Sequence, residues 1–373
     1  MGQRPGQTQP AVQGAGESVT QRLAKDLTWT PEQRETRFAH MDQVFPTNPV
    51  HHGSTLALTQ GAPLQVHLAS GETVRELMQR DRFSGILVLQ RGKIRFEEYG
   101  IGATAQTRWT SFSVSKSVTS TLVGYALRDK FIRSADDDVT KYIPELVGSS
   151  YDGVSVRQLA EMTSGVRWVE DYTAPDSDNV KLYESAAVPG RDQVVEYMRK
   201  LPPETAPGTK FVYKTGETDL LGVLVQRAVG SSLSAYLQRT LWREMRAESD
   251  AFWIADGGRE FGGSGLSATL RDFGRFGEFV RTHRAAGGWL AAATRGEVDN
   301  GRYGLGWWTF PDGSFAALGI FGQSILVDPR RELVVVTLGA WPAASSAALV
   351  ADRAALWEAV RRAVDEPPPG LNR

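Results

Sequence analysis

The stretch SFSVSKSVTSTLVGYAL, residues 111–127, decides how the rest of the chain is read. Ser113 and Lys116 stand three residues apart at the start of an amphipathic run, so a helix brings both side chains out on one face of its first turn. At the helical period, Val114, Val118, Leu122, Tyr125 and Ala126 form an apolar stripe, while Ser113, Lys116, Ser117 and Ser120 gather on a small polar face. N–H groups in a helix's first turn have no intrahelical acceptor and lie at the positive end of the dipole, a setting that suits a serine whose attack creates an oxyanion. A lysine one turn on takes the serine's proton if desolvation and positive neighbours keep its amine neutral. The plainer reading is a capping serine followed by a solvated lysine. This chain contains a single Ser-x-x-Lys match, and apolar residues flank its polar face on both sides.

The 373 residues are 41% hydrophobic, enough for a large core in one compound domain or two simple ones. Charges nearly cancel, with 42 basic and 43 acidic residues and no block of one sign. That balance argues against nucleic acid or an anionic membrane as the main partner and favours a small-molecule substrate. The chain has no cysteine, which excludes disulfides, thiolate catalysis and cysteine-ligated metal. Its five histidines, His40, His51, His52, His67 and His283, show no metal-ligand spacing, so neither a metal nor another cofactor is expected. No Gly-x-Ser-x-Gly elbow occurs, which leaves an ordinary α/β-hydrolase site without support. The opening MGQRPGQTQPAVQGAGES is polar and reads as a flexible tail over residues 1–19, without the apolar core of a signal peptide. A cytoplasmic location is expected, with export by a leader absent from the sequence as the alternative.

Around the 111–127 stretch the pattern changes twice. GILVLQRGKIRFEEYG, residues 85–100, reads as two strands turning at Arg91-Gly92. From about 131 to 250 the chain reads as helices and loops, with VTKYIPELV, VSVRQLAEMT, RDQVVEYMRKL and TDLLGVLVQRAVG carrying helical spacing. Strands return in GRYGLGWWTF, GSFAALGI, QSILVDP and ELVVVTLGA. A helix over roughly 344–364 then keeps Leu349, Arg353, Leu356, Trp357 and Val360 at helical spacing. The fold class is therefore α+β: a three-layer α/β/α arrangement whose central antiparallel sheet is built from both ends of the chain (residues 20–130 and 255–373), with a mainly helical region (131–254) inserted between. Catalytic groups are expected in the cleft between the two regions.

Two later stretches complete a constellation. In PGTKFVYKTGETDLLGVLV, Tyr213 follows a Pro-Gly turn and precedes an amphipathic helix. In LGIFGQSILVDP, Gly319 and Gly322 lie between two strands, where backbone N–H groups can approach a ligand closely. Serine-x-x-lysine, then this tyrosine, then this glycine-rich turn resemble the serine β-lactamase and penicillin-binding superfamily from residue 30 onward. The wording of FSVSKSVTS, VRQLAEMTSGV, FVYKTGETDLLG, GGSGLSATLRDFGRFG and GIFGQ is most similar to the 6-aminohexanoate-dimer (nylon-oligomer) hydrolases and their esterase relatives.

The resemblance implies a β-lactamase/transpeptidase-like fold and a serine hydrolase that cleaves linear amides or esters through an acyl-enzyme. It implies Ser113 as nucleophile, Lys116 as its base, Tyr213 as proton relay, and the backbone N–H groups of Ser113 and Ile320 as oxyanion hole. It also implies a homodimer. By the same resemblance, the loop VRWVEDYTAPDSDN, residues 166–179, is expected to supply Tyr172 to the substrate, with Asp176 and Asp178 both open as the carboxylate for a substrate ammonium. Trp168, Trp307 and Trp308 are candidates for the cleft wall or for the core. Two departures weaken recognition of a β-lactam carboxylate while leaving acyl transfer intact. Leu318-Gly319-Ile320 carries no cation, and Thr215 stands where β-lactamases usually have asparagine. The reading from another functional class is a catalytically silent binding protein of the same fold.

Overall fold

A computed structural model describes residues 19–366 apart from 175 and 187. The tail expected over 1–19 lies, save its last residue, outside the described residues. Among the described residues, twelve strands run in chain order: β1 (Thr47–Val50), β2 (Thr59–Gln60), β3 (Phe83–Gln90), β4 (Lys93–Tyr99), β5 (Trp109–Thr110), β6 (Ala251–Asp256), β7 (Arg259–Glu260), β8 (Leu266–Ala268), β9 (Trp308–Thr309), β10 (Phe315–Leu318), β11 (Ser324–Asp328) and β12 (Leu333–Gly339).

Seven of them form the main sheet, in the order β2-β4-β3-β12-β11-β10-β9. Every pairing is antiparallel except the short β2–β4 contact. The seam between the two ends of the chain is β3 against β12, where Val335 faces Val88 and Val336 faces Leu87. Both strands are buried at almost every position, which requires cover on both faces. Their near-continuous Val, Ile and Leu is the sequence cause. The β3–β4 hairpin turns at Arg91 (φ 52°) and Gly92 (φ 70°), the two positive φ values that a primed two-residue turn needs.

The helix Leu270–His283 lies across β3, β11 and β12 with a small-residue face. A methyl group added at Gly277 would lie 2.6 Å from Val334 Cγ1, and one at Gly274 would lie 2.6 Å from Leu87 Cδ2. Glycine thus sets how closely this helix approaches the sheet. The C-terminal helix Ala347–Asp365 is fastened to the sheet region by Arg361, which donates to Ser314 Oγ at 2.9 Å, and by the Phe310–Trp357 ring contact.

Three expectations need correction. A second small sheet, β1-β6-β8-β5 with β7 on β6, is present. It was illegible because its members are two to six residues long and come from three distant parts of the chain. VTKYIPELV is not an α-helix: Pro144 starts a fresh turn, and the segment forms two 3₁₀ turns, Val139–Lys141 and Pro144–Leu146. GRYGLGWWTF contributes only β9.

Gly277→Ala is expected to lower stability despite its gain in helix propensity. Overpacking against Val334 and Ile325 costs about 1–3 kcal/mol, more than the roughly 1 kcal/mol that alanine gains over glycine. A urea midpoint below that of the parent protein checks this.

Candidate active site

The 111–127 stretch leaves β5 and begins with a 3₁₀ turn, Phe112–Val114, that runs directly into the helix Ser115–Arg128. The polar face read from the sequence is not solvated. Ser117 Oγ donates to Gly306 O and Ser120 Oγ to Leu305 O, both at 2.6 Å, so the helix is buried on this face too. Lys116 is 2% exposed. Its Nζ lies 3.0 Å from Ser113 Oγ and 2.9 Å from Gly263 O. No carboxylate is in ion-pair contact with it among the described residues.

Burial drives the Lys116 pKa down to about 8, against the opposing fields of Glu170 and Asp219. Tyr213 behaves oppositely. Burial raises its phenol well above the usual tyrosine range, with Tyr303 and Glu170 adding to the rise and a hydrogen bond with Ser113 opposing it. Near neutral pH the amine can therefore act as a base, whereas the phenol keeps its proton and can donate it. The Tyr213 ring is stacked on Trp308 at 5.6 Å and stands 5.2 Å from Lys116 Nζ. Its position is fixed from the next residue: Lys214 is fully buried, ion-paired to Glu217 Oε1 at 3.2 Å, and its N–H points to Met162 Sδ.

Gly319, at the end of β10, crosses close behind the serine. A methyl group there would lie 2.8 Å from Ser111 O and 3.2 Å from Ser113 N, so only glycine permits the approach. Phe112 (φ 44°), just before Ser113, and Phe321 (φ 60°), just after Ile320, hold left-handed backbone. Each such residue costs on the order of 1–3 kcal/mol unless its surroundings enforce it. Here the two rings pack on each other at 5.4 Å and on Phe38 at 4.9 and 5.4 Å. This aromatic cluster holds the two backbone segments expected to supply the oxyanion hole.

Two cavities meet at Ser113, Tyr172 and Ile320. The larger, of about 440 Å³, also touches Glu170, Tyr213, Trp308 and Arg353. The smaller is walled by Leu23, Leu27, Asn179 and Tyr183. Tyr172 donates to Glu170 Oε1 at 2.7 Å. Glu170 also accepts from Trp168 Nε1 at 2.5 Å and from the Thr215 N–H at 2.9 Å, tying the loop to the helix Thr215–Val229 just after Tyr213. Sequence reasoning missed Glu170. The available signal was its place two residues before Tyr172, on the same side of an extended loop.

It also missed Asp219, whose carboxylate accepts from the Gly263 N–H at 2.7 Å and from Tyr183 Oη at 3.2 Å. Asp219 thereby orients the peptide segment whose next carbonyl receives Lys116. Asp178 is corrected to a structural role: it is 3% exposed, accepts from Val169 N and Tyr197 Oη at 2.7 and 2.8 Å, and lines neither cavity. Asp176 is exposed and lines neither cavity. Trp307 is a core residue against Phe276 and Phe315, and its neighbour Trp308 faces the cleft. Trp168 is buried beside Glu170.

The family model described as Beta-lactamase matches residues 71–357. A 6-aminohexanoate-dimer hydrolase from Paenarthrobacter ureafaciens is 30% identical over 340 residues, covering 82% of this chain and 85% of its own. A solved structure from Bacillus anthracis, provisionally named as a 6-aminohexanoate-dimer hydrolase, superposes with TM-score 0.77 at 19% identity, covering 90% of this chain and 95% of that one. EstCE1, described as a hydrolase with promiscuous acyltransferase activity, superposes with TM-score 0.61 at 16% identity, covering 78% and 96%. At these identities the two structures establish the fold. No single helix among the described residues is long and apolar enough to cross a membrane.

The pH dependence of kcat/KM for p-nitrophenyl acetate is expected to rise through an acid limb near pH 8, as Lys116 loses its proton. Glu170→Gln removes a negative field that favours the ammonium, so that limb moves to lower pH. A limb that stays in place in the variant would rule out this electrostatic link.

Proposed function

Because the chain belongs to the Beta-lactamase family, we propose that it is a serine hydrolase that cleaves short linear amides or esters through an acyl-enzyme on Ser113, with 6-aminohexanoate oligomers or short acyl esters as substrates. The supporting observation is the buried Lys116 amine, 3.0 Å from the Ser113 hydroxyl and drawn to a pKa near 8. Ser113 Oγ attacks the substrate carbonyl as its proton passes to Lys116 Nζ. The new oxyanion is received by the N–H groups of Ser113 and Ile320, a type of donor worth about 3–4 kcal/mol each in the transition state. Tyr213 gives its proton to the departing nitrogen or oxygen and regains one from Lys116. Water then attacks the acyl carbon with the same groups working in reverse, releasing the acid and restoring Ser113.

Amides are the harder case, since the amine must be protonated as it leaves. Tyr172 bears on that difference. Its hydroxyl hydrogen is committed to Glu170, which leaves the phenol oxygen free to accept from the N–H of an amide. An ester has no such hydrogen.

The first test is a p-nitrophenol burst with p-nitrophenyl acetate together with an acetyl adduct on Ser113 by mass spectrometry. Absence of both would favour a binding protein of the same fold. In a second test, Tyr172→Phe should lower kcat/KM for the 6-aminohexanoate dimer roughly tenfold more than for a short ester, the scale of one lost hydrogen bond. Equal losses would point to an esterase in which Tyr172 has no part in amide cleavage.

A further inference from the structure

Ser113 borders two unequal cavities, which differ in size, in charge and in the proton donor they hold. The smaller has a volume of about 50 Å³. One water-sized group takes roughly 10–15 Å³ of such space, so this cavity holds about four non-hydrogen atoms. The larger, of about 440 Å³, has room for a substituent several times bigger.

Tyr213 lines the larger cavity and not the smaller. It holds its proton near neutral pH, so the group that it protonates departs on that side. Trp308, stacked on the Tyr213 ring at 5.6 Å, and Trp341 add flat apolar wall there. Ile320, whose N–H is assigned to the oxyanion, borders both cavities. A carbonyl held between Ser113 and Ile320 with its leaving group toward Tyr213 therefore turns its other substituent into the smaller cavity.

That cavity is walled by Leu23, from the helix Val19–Ala24, and by Leu27, from the 3₁₀ turn Asp26–Thr28. Its polar lining is neutral, with Asn179, Tyr183 and Ser264 and no ionised side chain. Asp219 lies outside the lining and already accepts from Tyr183 Oη at 3.2 Å and the Gly263 N–H at 2.7 Å. A cation entering here would lose its water without gaining a counter-ion.

We propose that the smaller cavity is the acyl subsite, that it restricts the acyl part of the substrate to a short uncharged chain, and that the larger cavity takes an extended leaving group. Leu23 and Leu27 set the length limit. The proposal rests on the hydrolase reading above and, of the two substrate classes given there, selects short acyl compounds. A 6-aminohexanoyl group is both too long for this cavity and terminally charged.

The test compares p-nitrophenyl esters of acetic, butyric, hexanoic and 3-aminopropanoic acids, each kcat/KM being divided by the rate of spontaneous hydrolysis. In the parent protein the hexanoate should fall at least about tenfold below the butyrate, the scale of a methylene that does not fit. The 3-aminopropanoate, a cation of the butyrate's size, should fall by a similar factor. Leu23→Ala should raise the hexanoate relative to the acetate and leave the penalty on the cation in place. Val350 lines only the larger cavity and is 40% exposed, so Val350→Trp reports on the assignment even if Leu23→Ala weakens the fold. It should lower kcat/KM for acetates of phenols larger than p-nitrophenol while the chain-length ratio stays as in the parent. Equal values for butyrate and hexanoate in the parent, no penalty on the cation, or a chain-length ratio altered by Val350→Trp would overturn the acyl assignment and leave the hydrolase reading intact. Hydrolysis of none of the esters would remove the hydrolase reading and the assignment with it.

Discussion

A lysine amine enclosed between a serine hydroxyl and a peptide carbonyl, with no carboxylate in contact among the described residues, is the constraint around which this structure is arranged. Moving the Lys116 pKa from 10.5 to about 8 corresponds to about 3 kcal/mol of difference between its two protonation states. Burial supplies that difference, and burial is what the surrounding sequence provides. The serines beside Lys116 hydrogen-bond to the 305–306 backbone instead of to water, and the helix sinks on its polar side as well as its apolar one. Gly263 O then gives the amine a neutral acceptor, which orients it without stabilising its charge as strongly as a carboxylate would.

Two carboxylates do stand near, and the architecture occupies both. Glu170 collects Trp168, Tyr172 and the start of the helix Thr215–Val229. Asp219 collects Tyr183 and the Gly263 peptide. Each raises the Lys116 pKa through space, and neither reaches it. The same groups that tune the amine therefore also position the loop bearing Tyr172 and the carbonyl that holds the amine. At the other side of the serine, aromatic packing among Phe38, Phe112 and Phe321 does comparable work on the backbone. It enforces two left-handed residues that bring the segments of Ser113 and Ile320 together.

Much of this was legible in the sequence where spacing along one element determines proximity. Ser113 and Lys116 meet because three residues make nearly one helical turn, and the long β3 and β12 strands announce a central sheet through uninterrupted Val, Ile and Leu. Legibility failed where tertiary contacts decide. Asp178 and Asp176 look alike in a loop, yet one faces Val169 and Tyr197 and the other faces solvent. Trp307 and Trp308 are adjacent, so one points into the core and the other into the cleft, and the alternation gave no way to tell which. Arg353 read as one more position at helical spacing, and only the folded chain leaves it buried with no acceptor for its Nε among the described residues.

The state of the Lys116 amine can be observed without any substrate. In protein carrying ¹³C at lysine Cε, with the signal assigned by its loss in Lys116→Arg, the chemical shift of this one carbon followed against pH reports its titration. A midpoint near 8 is the result the structure predicts. A midpoint at or above the ordinary lysine value would mean an ammonium sits beside Ser113 at working pH, and the base would have to be sought elsewhere.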